Sequence, residues 1–177
     1  TVCFTISANL SGTYNAAVLG REMVLEEHPE KEVCIIDSKS TAGAMVLPDG
    51  RVVTGRTSDT LGAASALLLN ALKAMGGIDD HFELISSQVL EPVCRLKTEY
   101  LGHKNPRLHT DEVLMALTIS ALTNPLAELA QQQLPKLRGC DAHFSVILSE
   151  VDESLLKRLG INVSCEARYE TKKLYHK

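Results

Sequence analysis

The sequence has no tryptophan, and aromatic residues make up only 4% of the chain. Flat platforms on which bases stack are therefore scarce, and no nucleic-acid partner is expected. A dominant charge sign is also missing. Eighteen Lys and Arg stand against 22 Asp and Glu, interspersed, for a formal net charge of −4. That balance lacks the basic stripe that attracts a phosphate backbone or an anionic lipid surface. No apolar run approaches the ~20 residues of a membrane span, so none is expected. The first residues, TVCFTISANLSG, carry no basic cluster ahead of an apolar stretch. No secretory signal is expected on that ground, and the compartment is read as cytoplasmic.

The chemical signatures that are absent narrow the field further. Cys3, Cys34, Cys94, Cys140 and Cys165 form an odd set with no Cys-x-x-Cys pair, so they read as reduced structural thiols. No G-x-S-x-G elbow is present, which argues against a serine hydrolase. His103, His109, Asp111 and Glu112 lack the H-E-x-x-H spacing, and no metal is expected. No cofactor and no catalytic residue is assigned.

What the sequence does contain is aliphatic. Hydrophobic residues make up 45% of 177 positions, enough for one substantial domain, or a domain plus a fragment, without disulfide or metal staples. Thr1–Ile6 and Glu32–Asp37 are β-branched, apolar runs bounded by turn formers, and the capped amphipathic stretch from Ser11 to about His28 lies between them. This order predicts two adjacent parallel strands joined by a helix. Pro48-Asp49-Gly50 marks a tight turn before a short strand at 51–54. Helices are expected over 58–75, 87–101, 111–122, 125–137 and 152–159. Strands are expected over 82–85, 144–148 and 161–165. Alternation of this kind predicts an α/β fold with a mainly parallel sheet and helices on both faces.

Three loops carry polar groups where α/β proteins place ligands. The first, Ser7-Ala8-Asn9-Leu10-Ser11-Gly12-Thr13, joins a strand end to a helix start, where free amide hydrogens favour an anion. The alternative is a helix cap by Ser11 on an idle loop. The second, Thr54-Gly55-Arg56-Thr57-Ser58-Asp59, offers Arg56 to a phosphate or carboxylate but lacks P-loop spacing. Its alternative is a cap by Ser58. The third, from Lys97 to Thr110, gathers Lys104, Arg107 and His109 ahead of a helix. A basic cluster with histidine suits an anionic ligand and proton movement near neutral pH, and the alternative is a solvated loop.

Two resemblances come from specific phrases. LSGTY at 10–14 after a strand, followed by IDSKS at 36–40, resembles the DegV family of fatty-acid-binding proteins. For residues 1–45 that resemblance implies a first loop in which Ser7, Ser11, Gly12 and Thr13 hold an acyl carboxylate. LPDGRVVTGRTSD, LKTEYLGHKNPRLHTDEVLMAL, KRLGINVSCE and YETKKLYHK place residues 46–177 with the C-terminal domain of an uncharacterised bacterial family, whose members are about three times longer. The two resemblances meet near Met45, and together they imply a composite chain. The functional expectation is binding of a small anionic molecule, a fatty acid if the first loop acts. One alternative is the C-terminal part of a cytosolic enzyme with a basic phosphate- or carboxylate-binding loop. The other is a structural domain that forms a homo-oligomer, suggested by apolar helices such as 113–122.

Overall fold

The computed structural model of the chain describes residues 2–6, 13–30, 33–37 and 42–166. Strand β1 (Val2–Ile6), helix α1 (Thr13–Glu27) and strand β2 (Val33–Asp37) form the first unit. β1 and β2 pair in parallel, from Val2 opposite Val33 to Ile6 opposite Asp37, as the two buried-type runs predict. Among the described residues this two-stranded sheet shares no ladder with the rest of the fold.

The second unit holds β3 (Ala42–Val46), β4 (Val52–Arg56), β5 (Asp141–Phe144) and β6 (Asn162–Cys165) in the order β4-β3-β5-β6. The fold is α/β, but this sheet is mixed rather than mainly parallel. β3 runs antiparallel to both β4 and β5, and only β5 and β6 are parallel. The reason is the turn at Pro48-Asp49-Gly50. Leu47 N–H donates to the Arg51 carbonyl at 2.8 Å, folding β3 and β4 into a hairpin, and a hairpin is necessarily antiparallel. β3 itself escapes the sequence because Gly43 and Ala44 are poor strand formers. A boundary drawn at Met45 cuts through this strand, and Met45 is completely buried. The step from β2 to β3, residues 38–41, lies outside the described residues.

One face of the sheet carries Gly43, Met45, Gly55, Ala142 and Phe144 and builds the core. α2 (Ala63–Gly76) packs on β3 and β4 and inserts Leu67, Leu68 and Leu72, all at 0% exposure. Each such side chain contributes roughly 1.5–3 kcal/mol on burial. Among the described residues the other face is largely polar, with Thr54, Arg56, Asp141 and Ser164 exposed. α2 stops where expected: Gly77 adopts φ 65° and its N–H closes on the Ala74 carbonyl.

The remaining helices are α3 (Ser87–Arg95), a π-helical turn (Leu96–Tyr100), α4 (Thr110–Ser120), α5 (Pro125–Gln131), a 3₁₀ turn (Leu134–Leu137) and α6 (Glu150–Arg158). Two strand expectations fail for identifiable reasons. Residues 82–85 are irregular, because the Asn124 side chain takes up the carbonyls of Glu83 and Leu84 while its own oxygen caps α5 through Leu126 N–H. Pro125 is the first residue of α5, as expected. The strand expected at 144–148 lies at 141–144 instead, where Ala142 and Phe144 alternate with polar Asp141 and His143. Cys94 and Cys140 are buried free thiols, each pushed up in pKa by burial, and Cys165 is an exposed free thiol.

Candidate functional site

The polar focus of the molecule is the start of α4 and the loop that leads into it. α3 contains Pro92, which cannot donate to the preceding turn, and the chain then widens into the π-helical turn, closed by Leu101 N–H on the Leu96 carbonyl at 3.1 Å. This turn points Lys97 inward, to 3% exposure. Its ammonium donates to the Glu112 carboxylate and to the Arg107 carbonyl, each at 2.6 Å. The loop is thereby tied from beneath by a buried cation.

The same loop is tied from the side. Leu108, 1% exposed, lies parallel to Leu61. Its N–H donates to the Thr60 carbonyl at 2.8 Å, and its carbonyl accepts from Ser65 Oγ at 2.9 Å. Arg107 Nε donates to the Ser58 carbonyl at 2.8 Å, and the Asn105 side chain accepts from Arg107 N–H. The second and third candidate loops, 49 residues apart at the Arg107–Ser58 bond, are therefore neighbours. Ser58 does not cap α2: its hydroxyl accepts from Leu61 N–H inside a turn, and the helix starts at Ala63 with Gly62 as its N-cap.

His109 is the N-cap of α4. Its N–H donates to Glu112 Oε2 at 2.7 Å, and the N–H of Thr110 donates to Asp152 Oδ1 at 2.8 Å. Asp152 comes from the first turn of α6, where Ser149 is the N-cap and donates its hydroxyl to Asp152 Oδ2 at 2.6 Å. That same oxygen lies 2.9 Å from His109 Nδ1. One carboxylate thus joins two helix N-termini, whose dipoles both favour a negative charge.

The geometry fixes the histidine's proton. Nδ1 faces a carboxylate and must donate, which leaves Nε2 as the acceptor in the neutral ring. The side chain is 33% exposed, and no hydrogen bond to Nε2 is made by the described residues. His109 is thus built like an oriented general base. It is not part of a serine-hydrolase triad: Ser149 and Asp152 both sit at Nδ1, Ser149 at 3.3 Å, whereas a triad needs the hydroxyl at the other nitrogen. The hydrogen bond to Asp152, helped by the carboxylate's charge, raises the His109 pKa against the opposing effect of burial. Burial on its own would raise Asp152. The hydrogen bonds from His109 and Ser149, with the imidazolium charge, outweigh it and hold the carboxyl below its ordinary range.

These directions set a pH dependence. The protonated His109 contributes stability that is complete below its unfolded value near 6.5 and lost as pH rises through its higher folded value. The ionised Asp152 contributes stability present above about 3.8 and lost as pH falls through its lower folded value. The stability difference between wild type and His109→Gln is therefore expected to be widest between about pH 4 and 6.5 and to shrink on either side. Thermal unfolding of both proteins from acid to alkaline pH checks this. A difference that does not change with pH would reduce His109 to a neutral cap.

The other sequence-identified residues fare differently. Arg56 is exposed at the end of β4, Lys104 is exposed in the loop, and Arg107 is half-buried against Ser58. Thr13 opens α1, while Ser7, Ser11 and Gly12 lie outside the described residues. Asp111 and Glu112 act as helix-start acceptors, and no metal-binding group of three His, Cys, Asp or Glu exists among the described residues. On sequence alone Lys97 reads as a loop charge and Glu112 as a metal candidate without the required spacing, and neither Ser149 nor Asp152 stands out. The one available signal for the last pair is the S-x-x-D start of α6, a capping-box spacing. Among the described residues no helix is long and apolar enough to cross a membrane.

Comparison with known proteins gives this site a family. Residues 21–175 match the family described as "Domain of unknown function DUF1846, C-terminal", a match that begins inside α1, upstream of Met45. A UPF0371 protein of Corynebacterium efficiens is 50% identical over 141 residues, which cover 80% of this chain and 28% of that protein. A UPF0371 protein of Corynebacterium glutamicum is 45% identical over 160 residues, 90% of this chain and 30% of its own length. One from Clostridium botulinum is 43% identical over 147 residues, 83% and 28% respectively. The chain spans less than a third of the length of these relatives. The extent of the match and the identity of the relatives agree, and this chain belongs to the DUF1846 C-terminal family.

Proposed function

We propose that this domain contributes a proton-transfer and anion-holding site to a larger cytoplasmic enzyme, with His109 as the general base or acid. The observation that carries the reading is the His109–Asp152 pair, which orients one ring nitrogen outward at the meeting of two helix starts. Arg107 and Lys104 precede His109 on the same pinned loop, and Arg56 belongs to the connection to which Arg107 is bonded. Their positive charge suits a small phosphate- or carboxylate-bearing ligand.

Titration with inorganic phosphate and with acetate, followed by NMR of the histidine side-chain nitrogens, tests this. His109 is expected to respond, and Arg107→Ala to weaken the interaction by roughly 1.5–3 kcal/mol, the size of a charge-assisted hydrogen bond. Loss of the Ser58 contact costs a further 0.5–1.5 kcal/mol, roughly, of stability, so binding and folding are measured separately. A histidine spectrum unmoved by either anion would sink the reading.

A second reading concerns the first unit. We infer that the resemblance of residues 1–45 to the DegV family reflects a fatty-acid site made by Ser7, Ser11, Gly12 and Thr13. What supports it is the parallel β1–β2 pair with α1 starting at Thr13, so that residues 7–12 join a strand's carboxyl end to a helix start. Palmitate binding by the wild type and its loss in Ser11→Ala is the expected result. No binding to the wild type would remove the idea.

A further inference from the structure

α4 has a face that the described residues leave bare. Val113, Ala116, Leu117 and Ser120 point into the core, while Met115, Ile119 and Leu122, one helical turn apart along the opposite side and just past the helix end, are 59%, 58% and 82% exposed. Thr118 on the same side donates its hydroxyl to the Leu114 carbonyl and accepts from Gln131 Nε2, and no residue from 113 to 122 carries a charge. The contrast lies within the same domain. The exposed side of α6 carries Glu150, Glu153, Lys157 and Arg158, an ordinary solvated face with an internal Lys157–Glu153 pair. A continuous apolar stripe of this kind marks a surface that is covered in the working protein.

We propose that the stripe Met115–Ile119–Leu122 is the docking surface for the part of the full-length family protein that lies outside this domain. The relatives carry the matched region as 28–30% of their length, so in them most of the polypeptide is available to cover it. A tethered occupant also fits the size of the surface. A stable complex between separate chains buries roughly 800 Å² on each partner, more than three side chains on one helix present. A segment of the same chain acts at an effective concentration on the order of millimolar and is held by less. The face belongs to the helix whose first turn holds His109, so its occupant lies along the same element as the candidate site. The inference stands on the bare face and the relatives' length, and not on the proton-transfer reading.

Ile119→Asp in the 177-residue chain and the same substitution at the matching position of the full-length Corynebacterium efficiens relative provide the test, with Ile119→Thr as the milder variant in both. In this chain the melting temperature is expected to change little, because the side chain is already exposed. In the relative it is expected to fall by at least about 4 °C more. Equal shifts in the two proteins would overturn the proposal, as would a charged residue already standing at that position in the relative. Sedimentation of the 177-residue chain as a dimer that Ile119→Asp dissociates would also overturn it, in favour of a second copy.

Discussion

Gly55→Ala is expected to lower stability by about 3 kcal/mol, the upper end of the overpacking range. A Cβ at this position would stand 2.7 Å from Leu67 Cβ and closer still to the Leu67 backbone, which a helix cannot move alone. Gly55 is paired across the hairpin with Gly43, where a Cβ would meet the Phe144 ring and lie 3.0 Å from Leu67 Cδ2. The two glycines therefore form a shallow bed on which α2 rests directly on the sheet. For a domain of this size the loss corresponds to a fall of roughly 6–12 °C in melting temperature. Calorimetry of Gly55→Ala checks it, and a shift within ~1 °C would mean that α2 is not seated this closely.

The second large effect concerns the buried pair. Glu112→Ala removes the carboxylate that faces Lys97, leaves an ammonium at 3% exposure with only the Arg107 carbonyl, and frees the N–H of His109. Breaking such a pair from one side costs about 3–5 kcal/mol, and the lower figure applies because Glu112 keeps 24% of its side-chain surface in water. The double variant Lys97→Met, Glu112→Gln removes both charges and keeps an acceptor for His109. It is expected to be more stable than Glu112→Ala by at least about 1 kcal/mol, since burying no charge is cheaper than burying one. Denaturant unfolding of Lys97→Met, Glu112→Gln and the double closes the cycle. Additive losses would show that the two side chains do not depend on each other.

The alternation of apolar runs with turn formers was enough to read the parallel β1–β2 pair, helix α1, the tight turn at 48–50, the Pro125 start of α5 and the end of α2 near residue 75. Apart from the β1–β2 pairing itself, which follows from the strand–helix–strand order, these are local matters of caps, periodicity and steric permission, and neighbouring residues decide them. The basic loop with His109 was legible for the same reason, as a run of like charge before a helix.

Tertiary contact alone decided the rest. Gly43 and Gly55 look like loop or register-breaking residues until the sheet sets them opposite one another beneath Leu67, where lacking a side chain is what allows close packing. The hairpin partner of β4 was invisible because its strand is built from small residues whose role is contact, not propensity. The pairings within the site were invisible for a parallel reason. His109 and Asp152 are 43 residues apart, Lys97 and Glu112 15, and neither pair forms a spaced motif along the chain. Asp152 finds His109 only because packing brings two helix starts together, and Glu112 finds Lys97 only because the π-helical turn is packed against the start of α4; burial then makes each pairing obligatory, since a charge removed from water must find its partner within the fold.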